Sequence, residues 1–307
     1  MTTRIAVLGV GKIARDQHLP AIAASADFTL AGVVSLAPVD LGVPCEATLT
    51  ALKAAVPDLA AVAICTPPRG RADLIAEALG LGLDVLIEKP PAATLSEAER
   101  FAGMARAAGR SLFLAWHSRE AAGVDPLAAW LEGRRPRRVA IRWREDVRVW
   151  HPGQEWIWEP GIGVFDPGIN ALSILTRLLP TPAEVREARL SYPADRAAPI
   201  AAELSLASGE VAIAADFSFD QRGAQTWTLA VETDYGRAEL TDGGARLTID
   251  GAAMPLAEEG EYPRLYARFA AMVGTGAIDA DLSPFRLVAD AFLLGRRETV
   301  GRFSWDD

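Results

Sequence analysis

Glu88-Lys89-Pro90-Pro91 sets one of only three lysines in the chain (Lys12, Lys53 and Lys89) directly after a short apolar run. An ammonium at a strand exit can hydrogen-bond a substrate hydroxyl, and a partly desolvated lysine can serve as a general base. The two prolines stiffen that exit, and a cis prolyl bond there would aim the lysine. A second candidate is Asp166, in Gly163-Val164-Phe165-Asp166-Pro167-Gly168-Ile169-Asn170. Asp166 and Asn170 are four residues apart, so at a helix entrance they project to one side. Asn170 takes up no proton and can only orient a substrate oxygen. Lys89 and Asp166 are the groups of this set that can take a proton. Their opposite charges make a natural couple, with Asp166 orienting the lysine or abstracting the proton itself. Asp166 can also cap the helix that follows, a common use of aspartate.

Four tryptophans, Trp143, Trp150, Trp156 and Trp158, fall within one short stretch that also holds Glu145, Asp146 and His151. Aromatic faces pack the C–H side of a pyranose while polar neighbours read its hydroxyls. This segment is therefore expected to form a sugar-binding face, with His117 as a further hydroxyl reader. His18 is expected to be structural or close to the cofactor.

A different chemistry is written at the N-terminus, where Gly9-Val10-Gly11-Lys12-Ile13-Ala14 separates a strand pattern from a helix pattern. The first glycine permits the turn and the second lets the backbone approach a pyrophosphate. The diphosphate then rests on the helix N-terminus beside Gly11, Lys12 and Ile13. The second strand ends Val33-Val34-Ser35-Leu36-Ala37-Pro38. An acid at this place would select NAD through the ribose 2′-hydroxyl. Ser35 repels no phosphate, so NADP and NAD are both expected to bind, with NADP favoured, although no arginine follows Ser35 to demand it.

These groups need a scaffold, and the apolar pattern describes one. Apolar strands at Arg4–Gly9, Phe28–Ser35, Ala60–Thr66, Asp84–Glu88 and Ser111–Trp116 alternate with helical stretches, among them 70–79 and 95–108. That alternation means a parallel sheet covered on both faces. Beyond residue 119 the period becomes two, at Val139–Val147, Glu184–Tyr192, Ile200–Leu206, Val211–Phe219 and Thr226–Thr233, with further strands through Ile249. Helices are expected at 170–179, 262–273 and 284–297. The expected fold class is α/β: an N-terminal Rossmann dinucleotide-binding domain (1–119) and a C-terminal α+β domain (120–307) with a large open, mostly antiparallel sheet. Such an open face suggests a homodimer or homotetramer formed through it.

Composition removes other classes. With 40 acidic against 31 basic residues and a net charge of -9, nucleic acid is not an expected partner. Cys45 and Cys65 cannot build a disulfide framework, and they lie in no CxxC or Cys/His cluster, so no metal is implied. The N-terminal apolar stretch is too short for a signal peptide, and no run approaches the ~18 apolar residues of a membrane helix. A cytoplasmic protein of two domains is expected.

At Glu88-Lys89-Pro90 the sequence resembles the Gfo/Idh/MocA family of NAD(P)-dependent sugar and inositol oxidoreductases. The resemblance covers the whole chain and includes Ile64-Cys65-Thr66-Pro67-Pro68. It implies that Cys65, Thr66, Pro67, Glu88 and Lys89 border the dinucleotide. Many members carry Asp-x-Gly-x-His in the later motif, and here Asn170 stands where that histidine would be. The segments 11–20, 116–119 and 150–160 are similar to those of family members that oxidise L-arabinose or D-galactose at C1. This implies that Lys89, His117, Glu145, His151, Asp166 and Asn170 face the sugar, beside the Trp150 of the aromatic cluster. The implied reaction is oxidation of an aldopyranose to its 1,5-lactone, with L-arabinose, D-galactose and D-fucose as candidates. The alternatives are another aldose or an inositol as substrate, and a non-catalytic sugar and NADP sensor on the same fold. A sensor has no need of both Lys89 and Asp166.

Overall fold

The computed structural model describes Thr2–Asp306, so Met1 and Asp307, the outer ends of the two expected domains, lie outside the described residues. The chain opens with β1 (Thr3–Leu8), α1 (Leu19–Ala24), β2 (Phe28–Val34), β3 (Cys45–Glu46), α2 (Leu49–Ala55) and β4 (Ala61–Ile64). It continues through α3 (Arg71–Gly80), β5 (Asp84–Glu88), α4 (Leu95–Ala108) and β6 (Leu112–Ala115). Next come α5 (Val124–Leu131), β7 (Pro136–Arg144), α6 (Val147–Trp150) and α7 (Phe165–Leu178). A run of strands follows: β8 (Glu184–Pro193), β9 (Ala201–Ser208), β10 (Val211–Ser218), β11 (Thr226–Thr233), β12 (Gly236–Thr241), β13 (Arg246–Ile249) and β14 (Ala252–Ala253). The chain ends with α8 (Glu261–Met272), β15 (Ile278–Asp279), α9 (Ser283–Leu294) and β16 (Arg296–Val300).

Two compact units result. One comprises Met1–His117 with Glu259–Leu282, the other Ser118–Glu258 with Ser283–Asp307. The first holds a parallel sheet in the order β15-β6-β5-β4-β1-β2-β3, the arrangement of a doubly wound nucleotide fold. Every residue of β4 and β5 is buried, which is why both read as continuous apolar runs. The sequence reading assigned α8 and β15 to the second domain, and they belong to the first. The buried side of α8, with Tyr262, Leu265, Tyr266 and Phe269, packs with Phe28, Val33 and Phe113. Asp84 fixes the returning chain, accepting from the N–H groups of Ser111 (2.7 Å) and Gly274 (2.8 Å).

The second unit is built on a sheet ordered β14-β13-β12-β11-β7-β10-β9-β8-β16. Most neighbours are antiparallel, while β10 with β7 and β16 with β8 are parallel. Burial alternates along β9 and β10, so one face of this sheet is covered. The open face carries Arg142, Arg189, Glu203 and Asp216 beside Ala140 and Ala214, and is charged and small-residued rather than apolar. Helix α7 starts five residues earlier than its pattern suggested, because Pro167 is tolerated in a first turn. Gly168 allows close packing there: a Cβ would meet the Phe217 ring at 3.0 Å. The last helix is shorter than expected. At Gly295 a Cβ would strike Leu190 at 2.5 Å, and the chain turns there into β16. Among the described residues no helix is long and apolar enough to cross a membrane.

Candidate active site

In the first unit the glycine loop forms as its sequence dictates. Gly9 adopts φ +90°, and its N–H bonds Val34 O at 2.9 Å, tying the exits of β1 and β2 together. A Cβ on Gly9 would lie 2.9 Å from Thr66 Cγ2 and 3.0 Å from Thr66 N, so only glycine fits. Over Gly11 the space is open, with nothing within 4 Å of the place a Cβ would take. Helical structure begins at Lys12, whose ammonium pairs with Asp16, and passes through a π-bulge at Ala14–His18 before α1. Ile13 is half-buried, Ser35 lies at the end of β2, and Leu36 beyond it is 98% exposed. The Thr66 hydroxyl is buried and finds no partner among the described residues. A bare helix start, a cleared approach at Gly11 and an orphaned hydroxyl at the β4 exit together fit a dinucleotide diphosphate.

The exits of β4 and β5 are fastened by Arg71, a residue the sequence reading passed over. Its guanidinium donates to the carbonyls of Thr66, Glu88 and Pro90, with Nε 3.0 Å from Thr66 O. It is 2% exposed, and burial pulls its pKa down to about 10 against the field of Glu88. An arginine at the start of an amphipathic helix ordinarily reads as solvated, so sequence carries no signal for this role. The Lys89–Pro90 bond is cis, as anticipated, and Lys89 is partly exposed.

The side chains of Glu88 and Cys65 are buried. Strand alternation turns both side chains toward the α1 and α8 face, where Cys65 joins the core. Thr66 and Pro67 follow at the exit, and any contact that Cys65 makes with a dinucleotide must come from its backbone. The Glu88 carboxylate, 2% exposed, accepts from His18 Nε2 (3.0 Å), the Tyr262 hydroxyl (2.5 Å) and the Lys89 N–H (2.7 Å). Through the last of these bonds it supports the backbone of Lys89 from within the core. Burial alone would raise its pKa. The hydrogen bond and charge of His18, the charge of His117 and the Tyr262 bond bring it down to about 2. For His18, burial opposes the charged ring but is outweighed by Cys65, Tyr266 and Glu88, and its pKa stands well above the ordinary value. Its Nδ1 meets the Tyr266 hydroxyl at 2.7 Å. Burial raises both tyrosines, Tyr266 to about 12. At the β6 exit His117 donates from Nδ1 to Glu261 (2.6 Å) and stacks on Tyr262.

In the second unit β7 delivers Glu145 and Asp146 to the start of α6. Asp146 caps that turn, accepting from Arg148 N at 2.9 Å. His151 follows, and its Nε2 lies 3.1 Å from Asp166 Oδ2. Asp166 is 6% exposed and sits inside the first turn of α7 rather than at its cap. Asn170, one turn on, is partly exposed. Asp166 and His151 are therefore a pair within one unit, while Lys89 belongs to the other.

The tryptophan face is reassigned in part. Trp143 and Trp158 are core residues at 3% and 4% exposure. Trp158 packs against Phe303 and Trp305, whereas Trp150 and Trp156 remain partly exposed. Trp227, far away in sequence, completes the group by lying against Trp143 and Trp150, and it donates from Nε1 to Glu145 at 2.9 Å. Period-two alternation on β11 identified the strand but not this partnership.

Comparison with known proteins follows the same lines. Residues 3–115 match the profile of an oxidoreductase family with an NAD-binding Rossmann fold. The chain is 43% identical over 302 residues to a galactose 1-dehydrogenase of Pseudomonas fluorescens, covering 98% of each. The crystal structure of a D-galactose-1-dehydrogenase protein from Rhizobium etli superposes with a TM-score of 0.93 at 44% identity, covering 99% of this chain and 98% of that one. A 3-ketoreductase from Actinomadura kijaniata, solved with NADP, shares the fold at 19% identity with a TM-score of 0.80, covering 98% and 100% of the two chains.

Proposed function

This chain belongs to the Gfo/Idh/MocA family of NAD-binding oxidoreductases, and from that premise we propose that it oxidises the anomeric hydroxyl of an aldopyranose to the 1,5-lactone. The observation that carries the reading is the whole-length likeness to galactose 1-dehydrogenase. NAD(P)+, when bound, accepts the hydride that leaves sugar C1. The residues must then remove the O1 proton and hold the ring. Asp166 or Lys89 takes that proton as the C1–O1 double bond forms. The partly exposed imidazole of His151, the carboxamide of Asn170 and the aromatic surfaces of Trp150 and Trp156 orient the ring, and orientation supplies much of the rate. Glu145 acts from behind, through Trp227. His117 reads a hydroxyl with Glu261 fixing its ring.

L-Arabinose and D-galactose share their ring stereochemistry and differ only at C5, so one pocket serves both, and D-fucose as well. Initial rates for these three, D-glucose and an inositol, each with NADP and NAD, test the proposal. Turnover of the three axial-4-hydroxyl sugars with little activity on D-glucose is the expected result. Turnover of none of the aldoses overturns it.

For the cofactor we propose use of both dinucleotides with NADP favoured, because Ser35 ends β2 without a carboxylate. Ser35→Asp is expected to lower kcat/KM with NADP by roughly 10- to 100-fold and to spare NAD, since a carboxylate repels the 2′-phosphate and accepts from a free 2′-hydroxyl. Equal losses with both cofactors would remove this role. We also propose a homodimer or homotetramer through the open sheet face. Its mixed charges, Arg142 and Arg189 with Glu203 and Asp216, suit pairing with a second copy, and a monomer mass by light scattering would exclude it.

A further inference from the structure

Beside His151 stand Gln154 and Trp156, and their geometry fixes which protons the imidazole carries. The indole Nε1 of Trp156 is a donor only, and it lies 2.9 Å from Gln154 Oε1. That donor sets the amide: the atom facing Trp156 must be the carbonyl oxygen. The same oxygen lies 3.3 Å from His151 Nδ1. A carbonyl oxygen accepts, so Nδ1 carries a hydrogen. Across the ring, Nε2 lies 3.1 Å from Asp166 Oδ2. Two bare lone pairs at that separation would repel, so a hydrogen also occupies this contact. Edge contacts with Trp156 (5.6 Å) and Phe219 (5.9 Å) hold the ring plane.

We propose that Gln154, oriented by Trp156, is a positioning residue that keeps a hydrogen on His151 Nδ1 and so commits Nε2 to Asp166. The inference rests on the reading of Asp166 as a proton-accepting group. With Oδ2 engaged by His151, the carboxylate of Asp166 is held in a constant direction. If the amide turned over, its NH2 would face Nδ1 and the imidazole would have to give up its Nδ1 hydrogen. Nε2 would then become the donor of a neutral ring, with Nδ1 accepting. The strength and direction of the contact with Asp166 would change. Trp156 prevents this with a single N–H.

The test is heteronuclear NMR of 15N-histidine-labelled protein, where the chain's three histidines give few signals and the His151→Gln spectrum assigns His151. In the wild type, Nδ1 of His151 is expected to appear as a protonated nitrogen. Gln154→Leu removes the acceptor, and Trp156→Phe frees the amide to turn; in both, Nδ1 is expected to lose proton occupancy. Gln154→Glu retains an acceptor and is expected to restore the wild-type signal. For activity, Gln154→Leu should lower kcat about 10- to 100-fold with sugar KM and NADP affinity little changed, and Gln154→Glu should recover most of it. The inference is overturned if His151 shows the same ring signals in Gln154→Leu as in the wild type, or if Gln154→Glu is as impaired as Gln154→Leu. Should the wild type oxidise no aldose, the proposed function fails separately, and the ring spectra alone decide this inference.

Discussion

Asp166→Ala is expected to lower kcat for sugar oxidation by about 10²–10⁴-fold, and Lys89→Ala by a comparable factor, as removal of a group in proton transfer does. A loss of 10³ corresponds to about 4 kcal/mol of barrier. Asp166→Asn separates proton acceptance from shape: the amide fills the same space beside His151 but cannot take the O1 proton at neutral pH. Dinucleotide affinity, measured by quenching of protein fluorescence, should be nearly unchanged in Asp166→Ala, because the glycine loop and Thr66 belong to the other unit. Lys89→Ala should weaken it slightly at most, since Arg71 and Glu88 continue to hold the β5 exit. If Asp166→Ala and Lys89→Ala both retain turnover within tenfold of wild type, the assignment of these residues is wrong.

How far such a site can be read from sequence depends on whether a residue's role is local. Gly9 and Gly11 act through turn geometry and backbone approach, and the spacing alone announces them. β5 and α4 likewise begin and end where their patterns place them, because a buried run and a Thr94 cap are local signals. Glu88 illustrates the other case. Its place in the Glu-Lys-Pro motif suggests the cofactor, and the motif says nothing of the buried groups that its side chain meets. Its side-chain partners, His18 and Tyr262, lie in the first and the penultimate helices of the chain. The pattern of α8 declares one buried face and cannot say against which sheet it is buried. Trp143 and Trp227 are alike in this respect, since cross-strand neighbours are fixed by register between β7 and β11. The sharpest omission is Arg71, whose burial follows from three converging carbonyls supplied by segments that only the tertiary fold unites.

The second large effect is expected from His18. His18→Ala leaves the Glu88 carboxylate charged in the core without its cationic partner, and breaking a buried pair in this way costs about 3–5 kcal/mol. For a chain of this size that is a fall in Tm of roughly 5–8 °C, readable by circular dichroism. The variant Glu88→Gln/His18→Ala should be more stable than His18→Ala alone, because no charge then remains unpaired; a double variant that is less stable would refute the account. The pH dependence has a definite sign. Glu88 is held at about 2 against an ordinary 4.5, an interval worth about 3 kcal/mol. That stabilisation is complete above pH 4.5 and is lost as pH falls toward 2. His18 is raised above 6.5, so its contribution is complete below pH 6.5 and is lost as pH rises through its folded value. Both are therefore present in full between about pH 4.5 and 6.5, and there the difference in Tm between the wild type and His18→Ala should be greatest. A difference that does not change between pH 3 and pH 9 would show that His18 acts by packing alone. In that event the hydrogen bond from Lys89 N to Glu88 would lose its electrostatic anchor, and the cluster beneath the β5 exit would be a structural plug rather than the charged base on which Lys89 rests.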